Sequence, residues 1–100
     1  MTIALEQALN ILRDNADALR ARAALHVAVF GSVARGEALA DSDLDVMVEV
    51  NTDRHIGLFG YAGLCEDLKD LFPAKVDVAN ARTLKPLFRE SILSDAVYAF

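Results

Sequence analysis

The stretch Val27–Val50, VAVFGSVARGEALADSDLDVMVEV, decides how this chain is read. An apolar run ends at Gly31 and Ser32, ten residues intervene, and Asp43 and Asp45 open a second apolar run. Two strands joined by a tight turn and a short helical excursion are written this way. Side chains alternate along a strand, so Asp43 and Asp45 share one face while Leu44 points into the core. On that geometry their Cα atoms lie roughly 6.5–7 Å apart. Two carboxylates so placed at the mouth of a buried strand repel each other unless a cation sits between them. Leaning together, they can hold a metal pair about 3.5–4 Å apart.

Mg²⁺ suits such a pair, because it is a hard ion bound through one or two carboxylates and completed by substrate phosphate oxygens. The Gly31-Ser32 turn supplies the other half of a site. Glycine lets backbone come close to a ligand, and N–H groups at a helix start favour phosphate. A phosphate cradle facing metal-binding carboxylates is what phosphoryl or nucleotidyl transfer requires, since positioning and charge neutralisation do most of that work. Arg35, about one turn beyond Ser32, is read in two ways that stay open: a nucleotide-phosphate contact, or the partner of Glu37 or of the aspartates.

Gly31-Ser32, ten residues, then Asp43-Leu44-Asp45 resembles the G-S-x10-D-x-D signature of the polymerase β-type nucleotidyltransferase superfamily. The longer string GSVARGEALADSDLDVMV is similar to its minimal nucleotidyltransferase branch (MNT), small bacterial proteins paired with a HEPN-domain toxin. The likeness spans nearly the whole chain and implies the palm-like fold of polymerase β. It also implies a third carboxylate on a later strand, which Asp77 in Lys75-Val76-Asp77-Val78-Ala79 offers. By this resemblance Asp43, Asp45 and Asp77 hold two Mg²⁺ ions, and Asp77 can serve as general base. Gly31 and Ser32 take the phosphates of ATP, the substrate, and AMP passes to a hydroxyl. The acceptor so implied is a tyrosine of a HEPN toxin, silenced as a ribonuclease, which makes this chain an antitoxin. Larger relatives grip the nucleobase with a second helical domain, for which this chain has no length to spare.

A reading from another class competes: a non-catalytic antitoxin or scaffold that neutralises its partner by stoichiometric binding. Transfer to an antibiotic or small alcohol is more remote, because such enzymes carry extra structure around a small-substrate pocket. A Ca²⁺ loop fits worse, since the carboxylates alternate on a strand and do not follow the 12-residue loop pattern.

Composition bounds these readings. One hundred residues make a single domain, 1–100, with room for one core. Hydrophobic residues at 54% and charged residues at 25% place the chain among globular proteins. No apolar run approaches a membrane span, and residues 1–10 lack a basic region followed by an apolar stretch, so a cytoplasmic protein without a membrane partner is expected. The single cysteine, Cys65, lies near Leu64 and Leu68 and reads as a buried structural thiol. A formal charge of −5 argues against direct nucleic-acid binding, which relies on a basic surface. A metal-chelated triphosphate is compatible with it, because the ion reverses the sign of an acidic pocket locally.

Periodicity supplies the remaining elements. Leu5, Leu9, Leu12, Ala16, Leu19 and Ala23 form one helical stripe, so a long amphipathic helix is expected from Thr2 to about Ala24. Strands are expected at 25–30, 44–50 and 75–79, with a short helix between Ser32 and Ala40. Asp53 is read as a helix cap in the polar turn after the second strand. A helix over 56–72 would bury Leu58, Tyr61, Cys65, Leu68 and Phe72, with Leu64 and Leu71 beside them. Gly57, Gly60 and Gly63 mark either its frayed start or a groove for close approach. Thr83 is expected to cap a last helix with Pro86 in its first turn and Leu84, Leu87, Phe88 and Ile92 as its apolar face. The terminal VYAF is ambiguous between helix and edge strand. The order of elements gives an α/β fold, a small mixed β-sheet with helices packed on it.

Overall fold

The computed structural model describes residues 3–100. The chain runs α1 (Leu5–Asp14), α2 (Ala16–Ala21), β1 (Ala24–Phe30), α3 (Gly31–Arg35), β2 (Leu44–Val50), α4 (Gly57–Asp70), β3 (Val76–Asn80), α5 (Pro86–Asp95) and β4 (Val97–Tyr98). A 3-10 turn at Thr52–Arg54 precedes α4. The strands make one mixed sheet in the order β3-β2-β1-β4, the α/β arrangement expected. β1 runs antiparallel to β2 and β4, whereas β2 and β3 are parallel. A parallel pair cannot be closed by a tight turn, and α4 is the crossover between them.

Alternation along the strands sorts the sheet into two faces. Val27, Val29, Leu44, Val46 and Val48 bury one side in a cluster with Leu12, Leu19, Leu64 and Leu68. On this side α1 and α2 pack against β1, and α4 packs against β3. The other face carries Ala28 and Phe30 of β1 opposite Met47 and Asp45 of β2. Ala28 and Met47 are buried there, and α5 packs against β1. Among the described residues no helix is long and apolar enough to cross a membrane.

The amino-terminal stripe is buried from Leu9 to Ala23, with Leu5 half-buried at its edge, but its helical part is divided between two helices. Asn15 breaks them apart, its side-chain N–H donating to the Ile11 carbonyl at 2.7 Å. An asparagine that bonds the backbone four residues earlier competes with helical pairing. The expected start at Thr2 lies outside the described residues. Arg22, from the end of α2, pairs with Asp67 of α4 at 2.9 Å. A Cβ on Gly63 would stand 3.1 Å from the same guanidinium, so close approach at this glycine serves an arginine of the chain itself.

Several local expectations are corrected. Asn51 caps the 3-10 turn by accepting the Asp53 N–H at 3.1 Å, so Asp53 receives a cap and does not provide one. Thr83 does not cap α5; its hydroxyl donates to the Asn80 carbonyl at 3.4 Å, and α5 begins at Pro86 after Lys85 with no side-chain cap. The helix between Ser32 and Ala40 ends at Arg35, because Gly36 turns left-handed with φ +74°. Cys65 is half-buried, and the Tyr61 phenol beside it is pushed up by burial and by their hydrogen bond. VYAF contains the edge strand β4, held by Arg13, whose Nε–H donates to the Ala99 carbonyl at 3.0 Å.

The largest departure concerns apolar faces. Leu64 and Leu68 of α4 are buried, but Leu58 is 79% exposed and Phe59 90%. In α5 no residue is buried, and Leu87 is 82% exposed. Periodicity marks which residues share a helix face, not whether anything covers it. Leu64→Ala is expected to destabilise the fold by about 2–5 kcal/mol, whereas Phe59→Ala should stay within about 0.5 kcal/mol. Denaturant unfolding followed by circular dichroism measures both.

Candidate active site

The site begins with backbone pairing. β1 and β2 set Phe30 opposite Asp45, so the next residue, Gly31, runs into the Asp45 carboxylate. A Cβ on Gly31 would collide with Asp45 Oδ2 and stand 3.1 Å from its Cγ. Gly31 also has φ +74°, a conformation L side chains rarely adopt. Two independent reasons therefore require glycine here.

On the other side of β2, the parallel register puts Asp77 of β3 beside Asp45. Asp45 is half-buried and Asp77 exposed on the same sheet face. Asp43 lies just before β2, where Lys75 Nζ approaches its Oδ2 at 3.8 Å. The Leu44 N–H donates to the Lys75 carbonyl at 2.9 Å, which ties the ends of β2 and β3 together there. Ser42 turns the chain into this segment, its hydroxyl accepting the Leu39 N–H at 2.9 Å.

Ser32 follows Gly31 in the first turn of α3, and its carbonyl accepts the Glu37 N–H at 2.8 Å. Arg35 ends that helix. Its Nη1 meets Asp95 Oδ2 at 2.6 Å, and its Nε faces Glu37 Oε1 at 3.5 Å. The Glu37 tether is one of the alternatives left open by the sequence. Asp95 was not anticipated, and neither was Lys75. Asp95 lies sixty residues from Arg35, and no local pattern signals such a pair.

Residues 5–99 match the family described as nucleotidyltransferase domain. The chain belongs to this family. Protein adenylyltransferase MntA of Thermococcus cleftensis is similar at 33% identity over 97 residues, 96% of either chain. A solved structure provisionally described as a minimal nucleotidyltransferase is 40% identical, with a TM-score of 0.67 over 89% of this chain and 93% of that one. A chain from the complex of tri-AMPylated Shewanella oneidensis HEPN toxin with MNT antitoxin superposes with a TM-score of 0.59. It covers 92% of this chain and 71% of that one, and at 13% identity shows the fold alone.

Negative charge is concentrated around Asp45. Burial pushes the Asp45 carboxyl above its ordinary value of 3.8, Asp77 and Asp43 push it further, and Arg35 draws it back. The donors are hard oxygens beside a cradle only glycine can line, which fits a divalent ion that takes one or two carboxylates and finishes its shell with phosphate and water. No group of three His, Cys, Asp or Glu side chains is drawn close enough to hold a metal by itself among the described residues.

Two outcomes follow. Gly31→Ala is expected to destabilise the fold by about 1–3 kcal/mol, because both backbone strain and the Asp45 carboxylate oppose it; thermal unfolding checks this. A raised carboxyl pKa means the folded state holds the proton more tightly than the unfolded one. Its stabilisation is present below the ordinary value of 3.8 and is lost as pH rises through the raised value. At neutral pH, with divalent ions chelated, Asp45→Asn should therefore raise the melting temperature, and the gain should shrink as pH falls toward 3.8.

Proposed function

We propose that this nucleotidyltransferase is a metal-dependent protein adenylyltransferase that moves AMP from Mg-ATP to a hydroxyl of a partner protein and so acts as an antitoxin. The expected acceptor is a tyrosine of a HEPN toxin. Support comes from the named activity of the Thermococcus relative and the toxin complex that shares the fold. The observation that carries the reading is the Gly31 turn closed onto Asp45 with Asp77 in register beside it. A protein of this kind works in the cytoplasm, where ATP is supplied.

In this reading Gly31 and Ser32 let the triphosphate approach the backbone, and Arg35 offers it a guanidinium. Asp43, Asp45 and Asp77 hold the divalent ions. When bound, those ions polarise the attacking hydroxyl and neutralise the departing pyrophosphate. Asp77, the most exposed of the three, is placed to take the hydroxyl proton on its carboxylate.

Binding without chemistry is favoured by a separate observation: Leu58, Phe59, Leu87 and Phe88 expose apolar surface suited to a protein contact. One experiment separates the readings. The Asp43→Asn, Asp45→Asn double variant should lower transfer of α-labelled AMP to the co-expressed partner by about 10²–10³-fold while the two proteins still co-purify. Undiminished labelling would rule out the site. Full protection of cells by a variant that binds but does not label would assign the function to binding.

A further inference from the structure

The clamp on Arg35 joins two elements at the surface of the fold, outside the apolar core. Arg35 ends a five-residue helix that starts at the Gly31 turn and packs against β2, whereas Asp95 ends α5. Their contact, Nη1 to Oδ2 at 2.6 Å, joins a side chain 44% exposed to one 22% exposed. Glu37 engages Nε of the same guanidinium, so it is held at two nitrogens. A carboxylate on the last residue of a helix faces the negative end of the helix dipole. Asp95 therefore sits where its own helix disfavours it, and Arg35 compensates.

An unclamped Arg35 has another destination. It ends the helix that starts at Gly31, which abuts the Asp45 carboxylate, and that helix packs on β2. The Arg35 charge reaches Asp45, which stands in the field of two further carboxylates. A long cationic side chain released there would fold onto Asp45 and compete with a divalent ion for the same oxygens. Held by Asp95, it stays beside the Gly31-Ser32 turn.

We propose that Asp95 is a positioning residue of the nucleotide site: it holds Arg35 ready for the phosphates of a nucleoside triphosphate and off the carboxylates that take the metal. The proposal rests on the transferase reading of the site and adds to it a residue from α5. Asp95 touches neither nucleotide nor metal and acts through Arg35 alone.

The test uses the full chain, Mg²⁺ and a non-hydrolysable ATP analogue, with binding followed by calorimetry. Asp95→Ala should weaken binding and raise the Mg²⁺ requirement by about fivefold, as expected for loss of one partly exposed ion pair. Asp95→Glu should restore both. In an Arg35→Ala background, Asp95→Ala should add nothing. The charge-swapped variant, Arg35→Asp with Asp95→Arg, should recover the melting temperature but not analogue binding, because the pair is rebuilt with its cation on α5. Analogue binding by Asp95→Ala equal to wild type overturns the proposal, as does an undiminished Asp95→Ala effect without Arg35 or full binding by the swapped variant. Wild type that binds the analogue but transfers no AMP sinks the transferase reading and leaves the clamp to be decided by the binding series. Wild type that transfers AMP while Asp95→Ala matches its Mg²⁺ requirement sinks the clamp alone. Wild type that binds no nucleotide sinks both.

Discussion

The Asp45 carboxylate occupies the space where any residue but glycine at position 31 would carry its Cβ, and the site is built around that approach. It follows from register. β2 is paired on both sides, with Phe30 opposite Asp45 on one and Asp77 beside it on the other. A slip of one residue would send Asp45 into the core and Leu44 out of it. The buried valines of β1 and β2 forbid that slip, so the apolar core holds Gly31, Asp45 and Asp77 in their relative places. Packing on one face of the sheet thus fixes the chemistry on the other.

The same geometry gathers negative charge without assembling a cage for a cation. Asp45 is partly desolvated and lies within the fields of Asp77 and Asp43. Lys75 and Arg35 offset the repulsion from opposite ends, the first at Asp43 and the second through the rim formed by Glu37 and Asp95. Such an arrangement costs the fold stability at neutral pH, because like charges stand close together on a partly buried surface. Neither cation lies deep in the fold, so both can adjust when the charge in the site changes.

Helix α5 differs from the others. It buries none of its residues, yet its last side chain holds the arginine at the end of the helix that starts at Gly31. Elements with few buried contacts open most readily. The chain therefore ties Arg35 to a helix with no buried residue, which also presents Leu87 and Phe88 to solvent. A contact on that helix would be felt at Arg35.

The strands and the residues they present are legible in the amino-acid order alone. Val and Leu in runs of period two placed β1, β2 and β3 to within a residue or so, and the spacing from Gly31 to Asp45 announced a carboxylate pair beside a turn. These features are local, set by side-chain alternation and by glycine's missing Cβ. The break at Asn15, the cap at Asn51 and the early end of α3 at Gly36 turn on single hydrogen bonds and dihedrals that composition does not encode. Which apolar stripes are covered is settled by long-range packing, which leaves Leu58, Phe59, Leu87 and Phe88 exposed. Long-range pairing alone brought Asp77 beside Asp45 and Asp95 to Arg35. Burial and ion pairing are properties of what lies opposite a residue, and for elements tens of residues apart that is fixed only when the chain closes.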